Sequence, residues 1–361
     1  MKPKNLTVLC LASYEKGGDF LIESKNQGNK VLLVTSEKLK DANWPRGHID
    51  NIFYVPESET GWNMDDLIKS TSYLARTENI NRVIALDDFD VEKAAKLREH
   101  LRVPGMGDTT ARYFRDKLAM RKKAEDDSIP IPDFVHVLNH NNINNFLDSH
   151  QPPYIIKPRS QAGAIGLKKV SSKEEAWEVI NALGDEQSYY LMEEFIEGEI
   201  YHVDSIIYNR EVRFSQVHKY ALPPFEVAHH GRVFCTRTVE RNCEDEEKLK
   251  ELNNIVLKSL GLKKGVSHTE FIKSSEGKFY FLETSARVGG ANIGELITFS
   301  SGINLWKEWA VMENLSDEEE YKLPNIKEDY GAIIISLAKQ ETPDLKNYDD
   351  KSVVWKLDKK Y

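Results

Sequence analysis

Cysteine is scarce in this chain. Three occur in 361 residues, at Cys10, Cys235 and Cys243. The number is odd and no C-x-x-C pair exists, so reduced thiols are expected rather than a disulfide frame, a redox pair or a zinc site. Long apolar runs are missing as well. The first, Leu6–Ala12, is too short to span a bilayer and no small-residue cleavage pattern follows it, so it reads as a buried strand. There is no basic run either, and the formal net charge is −9. Phosphate neutralisation needs clustered Lys and Arg, so neither nucleic acid nor a membrane is an expected partner. No internal repeat or low-complexity tract is found. What remains is a chain with 40% hydrophobic and 30% charged residues. Its length suits two or three domains. A soluble, cytoplasmic protein acting on small molecules through a locally basic pocket is expected.

The first hundred residues alternate strand and helix signals. Leu6–Leu11, Lys30–Thr35, Ile52–Val55 and Arg82–Leu86 read as strands. Asp19–Asn26, Met64–Thr77 and Val91–Leu101 read as helices between them, which argues for an open parallel sheet. The dinucleotide fingerprint G-x-G-x-x-G is absent after the first strand. The segment Ser13–Asp19 holds only the adjacent Gly17 and Gly18, which serve a turn or bring backbone N–H groups toward a substrate carboxylate. From Pro104 the texture changes. Thr109–Asp127 reads as one charged helix, ended by Pro130 and Pro132. A strand at Pro153–Pro158, a loop with Gly163 and Gly166, a helix at Ser172–Leu183 capped by Ser171 or Ser172, and an apolar run at Tyr189–Phe195 follow. Val203–Ile207, Val212–Lys219 and Arg232–Thr238 are strand-like, and Glu246–Leu260 is an amphipathic helix. Val266–Ser274 and Lys278–Thr284 read as a hairpin. Tyr330–Leu337 is a last strand, and Val353–Leu357 a last apolar piece. The acidic run Ser316–Glu320 reads as a solvated helix start rather than a metal site. The fold class is therefore α/β followed by α+β.

Five features carry chemistry. Lys117 lies on a helix. Lys157 closes the apolar strand Tyr154–Lys157, where its ammonium can meet phosphates. The small-residue loop Ser160–Gly166 lets backbone approach a phosphate, although Gly-Lys-[Ser/Thr] is absent and it is not a P-loop. Met192–Glu199 is an apolar strand that ends in carboxylates and turns at Gly198, as an adenine-binding edge can. Singly, each of these is more often an ordinary surface lysine or turn. Most informative is the pair Glu270 and Glu283, thirteen residues apart on two strands joined by a turn at Ser274–Gly277. Side by side, two carboxylates repel unless a cation lies between them, and Mg²⁺ favours such oxygen ligands. Arg287 follows, suited to gripping a phosphate or carboxylate with two parallel hydrogen bonds.

In this order the features resemble the ATP-grasp superfamily over nearly the whole chain. His268-Thr269-Glu270 and Glu283-Thr284-Ser285-Ala286-Arg287 look most like the L-amino-acid ligase branch. The resemblance implies an ATP-grasp fold in three parts. Residues 1–105 would be a doubly wound parallel domain. Residues 106–192 would be a linker helix and a small central lid subdomain. Residues 193–361 would be an antiparallel-sheet subdomain with the metal and substrate site.

The cofactors implied are ATP and Mg²⁺, with Mn²⁺ as a substitute. Lys117 and Lys157 would bind the phosphates, under a loop that includes Ser160, Gly163 and Gly166. Ile155 and Ile272 would sandwich the adenine. Glu193 would meet its amino group, and Glu194, Phe195 and Ile196 would form the hinge beside it. The usual ribose carboxylate position is Ile200, which leaves Glu199 or His202 for that task. Glu270 and Glu283 would hold Mg²⁺, with Ser285 where Asn is usual. Arg287 would steady an acyl phosphate, with Lys157 and a loop histidine, His230, as further catalytic groups. Arg232 is an alternative anchor for the substrate carboxylate. The implied activity is an ATP-dependent carboxylate–amine ligase that forms an amide or peptide bond between small molecules, amino acids foremost, and releases ADP and phosphate. Two other readings stay open: a bicarbonate-activating carboxylase of the biotin carboxylase kind, although no Met-Lys-Met carrier sequence is present, and an ATP-binding protein without turnover. A homodimer paired through the N-terminal domain also stays open.

Overall fold

The computed structural model describes residues 5–56, 61–163, 165–316, 318–338 and 340–358. Strand β1 (Thr7–Ala12) is buried at every position, as a central strand with both faces covered must be. It is followed by α1 (Gly18–Asn26), β2 (Lys30–Ser36), β3 (Asn51–Val55), α2 (Met64–Leu74), β4 (Ile80–Ala85) and α3 (Val91–Leu101). The four strands are parallel in the order β3-β2-β1-β4, the doubly wound sheet expected. Winding reverses between β1 and β4. That switch point leaves a crevice at the carboxyl ends of the strands, where Ser13 meets Asp90 and Lys16 meets Asp87. Ser13 donates its N–H and hydroxyl to Asp90 at 2.6 and 2.5 Å, and Lys16 pairs with Asp87 at 2.5 Å. Gly17 makes the turn with φ 75°, and a Cβ there would lie 2.9 Å from Leu86.

The single helix expected over 109–127 is two: α4 (Asp108–Arg112) and α5 (Lys117–Asp126). Asp116 is the reason. Its carboxylate accepts from the N–H groups of Leu118 and Ala119 at 3.0 and 3.3 Å, which starts a new helix. The same carboxylate pairs with the Arg159 guanidinium. The break buries Phe114 and sends Arg115 to Asp88, 2.7 Å away. Asp116→Ala should cost about 1–2 kcal/mol through the lost cap, measured by denaturant unfolding, whereas Asp116→Asn should keep most of that stability.

The central subdomain comprises β5 (Phe134–His136), α6 (His140–Ser149), β6 (Tyr154–Pro158), β7 (Lys168–Val170), α7 (Lys173–Ala182) and β8 (Tyr190–Glu194). Ser172 caps α7 by accepting from Glu175 N–H at 3.1 Å. The sheet is antiparallel in the order β5-β8-β6-β7. Strand alternation decides its two faces. Tyr154, Ile156 and Met192 pack into the core under α6 and α7. Ile155, Lys157 and Glu193 face the other way, onto a cavity.

The chain continues with β9 (Gly198–Tyr208), β10 (Glu211–Tyr220), α8 (Pro224–His230), β11 (Phe234–Thr238), α9 (Glu244–Leu260), β12 (Lys264–Ser274), β13 (Phe279–Ser285), α10 (Ile293–Ser301), α11 (Leu305–Asn314) and β14 (Ala332–Ile335). These strands form an antiparallel sheet in the order β13-β12-β9-β10-β11-β14. Leu249, Val256 and Leu257 of α9 cover one face, packed in a core shared with β1 and β4. Helices α10 and α11 join a second shared core with α1. The expected helix start at Ser316–Glu320 is instead a turn after α11. Glu319 accepts there from the N–H and hydroxyl of Ser316, while residue 317 lies outside the described residues. Among the described residues no helix is long and apolar enough to cross a membrane.

Candidate functional site

A cavity of about 880 Å³ lies between the central sheet and the six-stranded sheet, and it reaches the carboxyl edge of the parallel sheet at Asp88. The hairpin β12–β13 supplies its floor. Glu270 and Glu283 are direct partners in the ladder, so their carboxylates lie on one face. Lys117, at the first position of α5, reaches Glu283 at 2.7 Å and the Gln161 carbonyl at 2.6 Å. One ammonium thus ties the helix to both the hairpin and the small-residue loop. Glu270 accepts from the Tyr220 hydroxyl at 2.8 Å, and His268 stands 3.5 Å away. Burial works against the charged form of Glu270, but His268 and Tyr220 outweigh it and hold the carboxyl below its ordinary value.

Lys157 and Glu193 face each other across the central sheet at 2.6 Å. Arg121 of α5, fully buried, reaches the other oxygen of Glu193 at 2.7 Å and donates to the Leu282 carbonyl at 2.6 Å. Burial raises the pKa of Glu193, yet the two cations pull it below the usual value. Burial also draws Lys157 below the ordinary lysine range. Such a triad is costly to bury and persists only because each charge is paired.

Arg287, past the end of β13, donates to the Val288 carbonyl at 3.0 Å, and its Nε lies 3.8 Å from Asp88 Oδ1. Arg115 and Arg287 outweigh the burial of Asp88 and keep it ionised.

Of the residues singled out by sequence, Lys117, Ile155, Lys157, Gly163, Glu193, Glu194, Phe195, Ile196, Glu270, Ile272, Glu283, Ser285 and Arg287 all line this one cavity. Ile196 sits in the short connection between β8 and β9. There Gly198 is obligatory, because a Cβ would fall 2.1 Å from the Lys273 carbonyl. The Glu193 carboxylate is shared by two cations, so it meets any base amine only with what those bonds leave. The N–H of Glu194 is taken by the Asp133 carbonyl at 3.0 Å.

Six residues are not on the cavity wall, the exposed Arg232 among them. Ser160 and Gly166 are exposed positions of the loop, and the Ser160 carbonyl accepts from Arg115. Glu199 is on the opposite face of β9, held by Lys219 at 2.6 Å. His202 is completely buried behind the wall, bonded to Asp204 at 2.7 Å and to Thr236 at 2.8 Å. His230 ends α8 half-exposed and turns to Glu226 at 2.8 Å. Neither ribose candidate therefore reaches the cavity, where Ile200 stands instead.

The structure adds Asp88, Arg115, Arg121, Tyr220 and His268. Their partners are distant in sequence, and Arg121 stands in a stretch that reads as a charged helix. His202, Asp204 and His218 lie close enough to share an ion. His202 and His268 already hydrogen-bond the two oxygens of Asp204, at 2.7 and 2.8 Å. Burial lowers His202 to about 4. For His268 burial is outweighed by Asp204 and Glu270, which raise it to about 9.

A doubly wound domain followed by two α+β subdomains that enclose a lysine- and carboxylate-lined cavity defines the ATP-grasp fold. Residues 114–291 match the family model of the ATP-grasp domain. It is 24% identical over 233 residues to an L-arginine-specific L-amino acid ligase of Bacillus subtilis, covering 63% of this chain and 56% of that protein. It is 30% identical over 106 residues to a D-alanine–D-alanine ligase of Thermosipho africanus, covering 28% of this chain and 29% of the relative. The matched segments thus span less than two thirds of either relative. The structure of an L-amino acid ligase from Bacillus licheniformis superposes with a TM-score of 0.69 at 20% identity, over 86% of this chain and 74% of that one.

The wall suits a divalent cation. Glu270 and Glu283 offer adjacent hard oxygens, and the Ser285 hydroxyl lies beside them toward Asp88. Carboxylate and hydroxyl oxygens favour Mg²⁺ or Mn²⁺ over softer metals.

Proposed function

We propose that this protein is an ATP-dependent carboxylate–amine ligase. One observation carries the reading. Three cations, Lys117, Lys157 and Arg287, and the adjacent carboxylates Glu270 and Glu283 converge on a single cavity beside an apolar pair, Ile155 and Ile272. That is the equipment for a nucleotide triphosphate with its base between aliphatic side chains and its phosphates among positive charges. The similarity to an amino acid ligase supports amino acids as the first acids and amines to try.

In this reading a substrate carboxylate oxygen attacks the γ-phosphorus, and the bond to ADP breaks. The amine then attacks the acyl carbon, phosphate leaves, and the amine proton passes to solvent. Bound Mg²⁺ would neutralise phosphate charge from Glu270 and Glu283. Lys157, held by Glu193, presents a fixed ammonium at low dielectric, where its attraction for phosphate is stronger than in water. Lys117 holds Glu283 until a cation competes for that oxygen, and its ammonium is then available to phosphate. Arg287 faces the transferring group from the Asp88 side, at the crevice where the acid would enter. Positioning of this kind supplies most of the acceleration in phosphoryl transfer.

A screen of amino-acid pairs for ATP-dependent phosphate release tests the reading. We expect release with at least one pair, an equal amount of ADP, and an amide product by mass spectrometry. Glu283→Gln should lower the rate about a hundredfold or more. ATP binding without phosphate release for any carboxylate would sink the ligase reading. ADP formation with bicarbonate alone would favour a carboxylase.

A further inference from the structure

Behind the cavity wall lies a layer of polar side chains that the proposed reaction does not use. It is built on adjacent strands by register: Glu270 pairs with His202, His268 with Asp204, and His202 in turn with His218. The side chains are linked in a line. Thr236 meets His202 at 2.8 Å, His202 meets Asp204 Oδ2 at 2.7 Å, and Asp204 Oδ1 meets His268 at 2.8 Å. The other nitrogen of His268 lies 3.5 Å from Glu270 Oε1. Tyr220 donates to that same Oε1 at 2.8 Å. Both groups thus act on one oxygen of Glu270. His202 and Asp204 have no exposure to solvent and lie off the cavity wall.

We propose that Tyr220 and the His268–Asp204 pair are positioning residues that lock the Glu270 carboxylate by Oε1, so that Oε2 is presented to the nucleotide-bound divalent cation. This rests on the reading of Glu270 as a metal ligand. A glutamate has three side-chain torsions, and free in a cavity it would sample many directions. Pinned at one oxygen, it keeps one direction, and the line through Asp204 and His202 anchors the pin to β11. Outer hydrogen bonds of this kind are general at metal-binding carboxylates, and removing one typically weakens metal binding 10–100-fold.

The test uses the full chain saturated with ADP and titrated with Mn²⁺, read by electron paramagnetic resonance, so no turnover is needed. The variants are Tyr220→Phe, Asp204→Asn and, as the control for the site itself, Glu270→Gln. Metal-free ADP affinity is measured beside each. We expect Mn²⁺ affinity to fall about tenfold in Tyr220→Phe and about 10–100-fold in Asp204→Asn, with metal-free ADP affinity within about twofold of the native value. Phosphate release should then need correspondingly more Mg²⁺ for half-maximal rate while kcat at saturating Mg²⁺ recovers. A merely structural role would weaken ADP and Mn²⁺ together, and that result overturns the proposal. Native Mn²⁺ affinity in Tyr220→Phe and Asp204→Asn, beside weakened binding in Glu270→Gln, overturns the positioning role and leaves Glu270 as a ligand. Native affinity in Glu270→Gln overturns both. If Asp204→Asn fails to fold, Tyr220→Phe decides alone.

Discussion

Arg287→Ala should lower kcat for phosphate release about 10²–10³-fold, the range found when one donor to a developing charge is removed. ATP affinity should change only a few-fold. The position of the guanidinium is the reason. It is one of the charged groups on the cavity wall, mostly buried, and the carbonyl of Val288 holds only one of its nitrogens. Asp88 approaches Nε to 3.8 Å without closing a hydrogen bond. The group is therefore held in place yet keeps donors for a phosphoryl oxygen. An interaction made mainly in the transition state appears in kcat rather than in ground-state binding. Arg287→Lys should recover little, because a point charge does not reproduce a planar fork. Steady-state kinetics in ATP and in the acid separate the outcomes. A change confined to the KM for the acid would instead make Arg287 a substrate anchor.

Arg121→Met should be the most damaging single change to stability. Arg121 and Lys157 together neutralise Glu193, and all three side chains are at least nine-tenths buried. Removing Arg121 leaves Glu193 paired with Lys157 alone, and strips the donor from its second oxygen and from the Leu282 carbonyl, at a cost of about 1–3 kcal/mol for each buried group left unsatisfied. The loss should be seen as a lower denaturant midpoint for unfolding. Nucleotide affinity should fall as well, since Lys157 is then drawn toward Glu193 alone. The triple change Arg121→Met, Glu193→Leu and Lys157→Met separates the two effects. With no charge left to bury, stability should return to near the native level. Nucleotide binding should not return, because the strand-end ammonium is gone.

Much of the fold was legible because its signals are local. Leu6–Leu11 and Lys30–Thr35 are buried on both faces, so they read as unbroken apolar runs. The Glu270–Glu283 pairing was legible for a similar reason: a short turn between two strands leaves few registers, and the ladder has the two residues opposite each other. The helix break at Asp116 was less visible. An aspartate before Leu118 and Ala119 is a cap signal, but it lay inside a charged stretch with helical spacing. The misplaced ribose candidates follow from alternation along β9. Glu199 and Ile200 must point to opposite faces, and Ile200 is the one that meets the cavity. His202 shares the face of Ile200 but sits further along the strand, under the wall.

By itself, then, the sequence determined most of the order of strands and helices and the hairpin that carries two carboxylates. These depend on periodicity and on contacts between near neighbours in the chain. Only the tertiary structure decided which charges answer one another. Arg121 finds the Leu282 carbonyl 161 positions away, and Asp88 beside the parallel sheet meets Arg115 and Arg287 from later elements of the chain. Glu270 is held by Tyr220 from a different strand. The physical reason is that a buried charge must be paired somewhere, but nothing in its local sequence says by which residue.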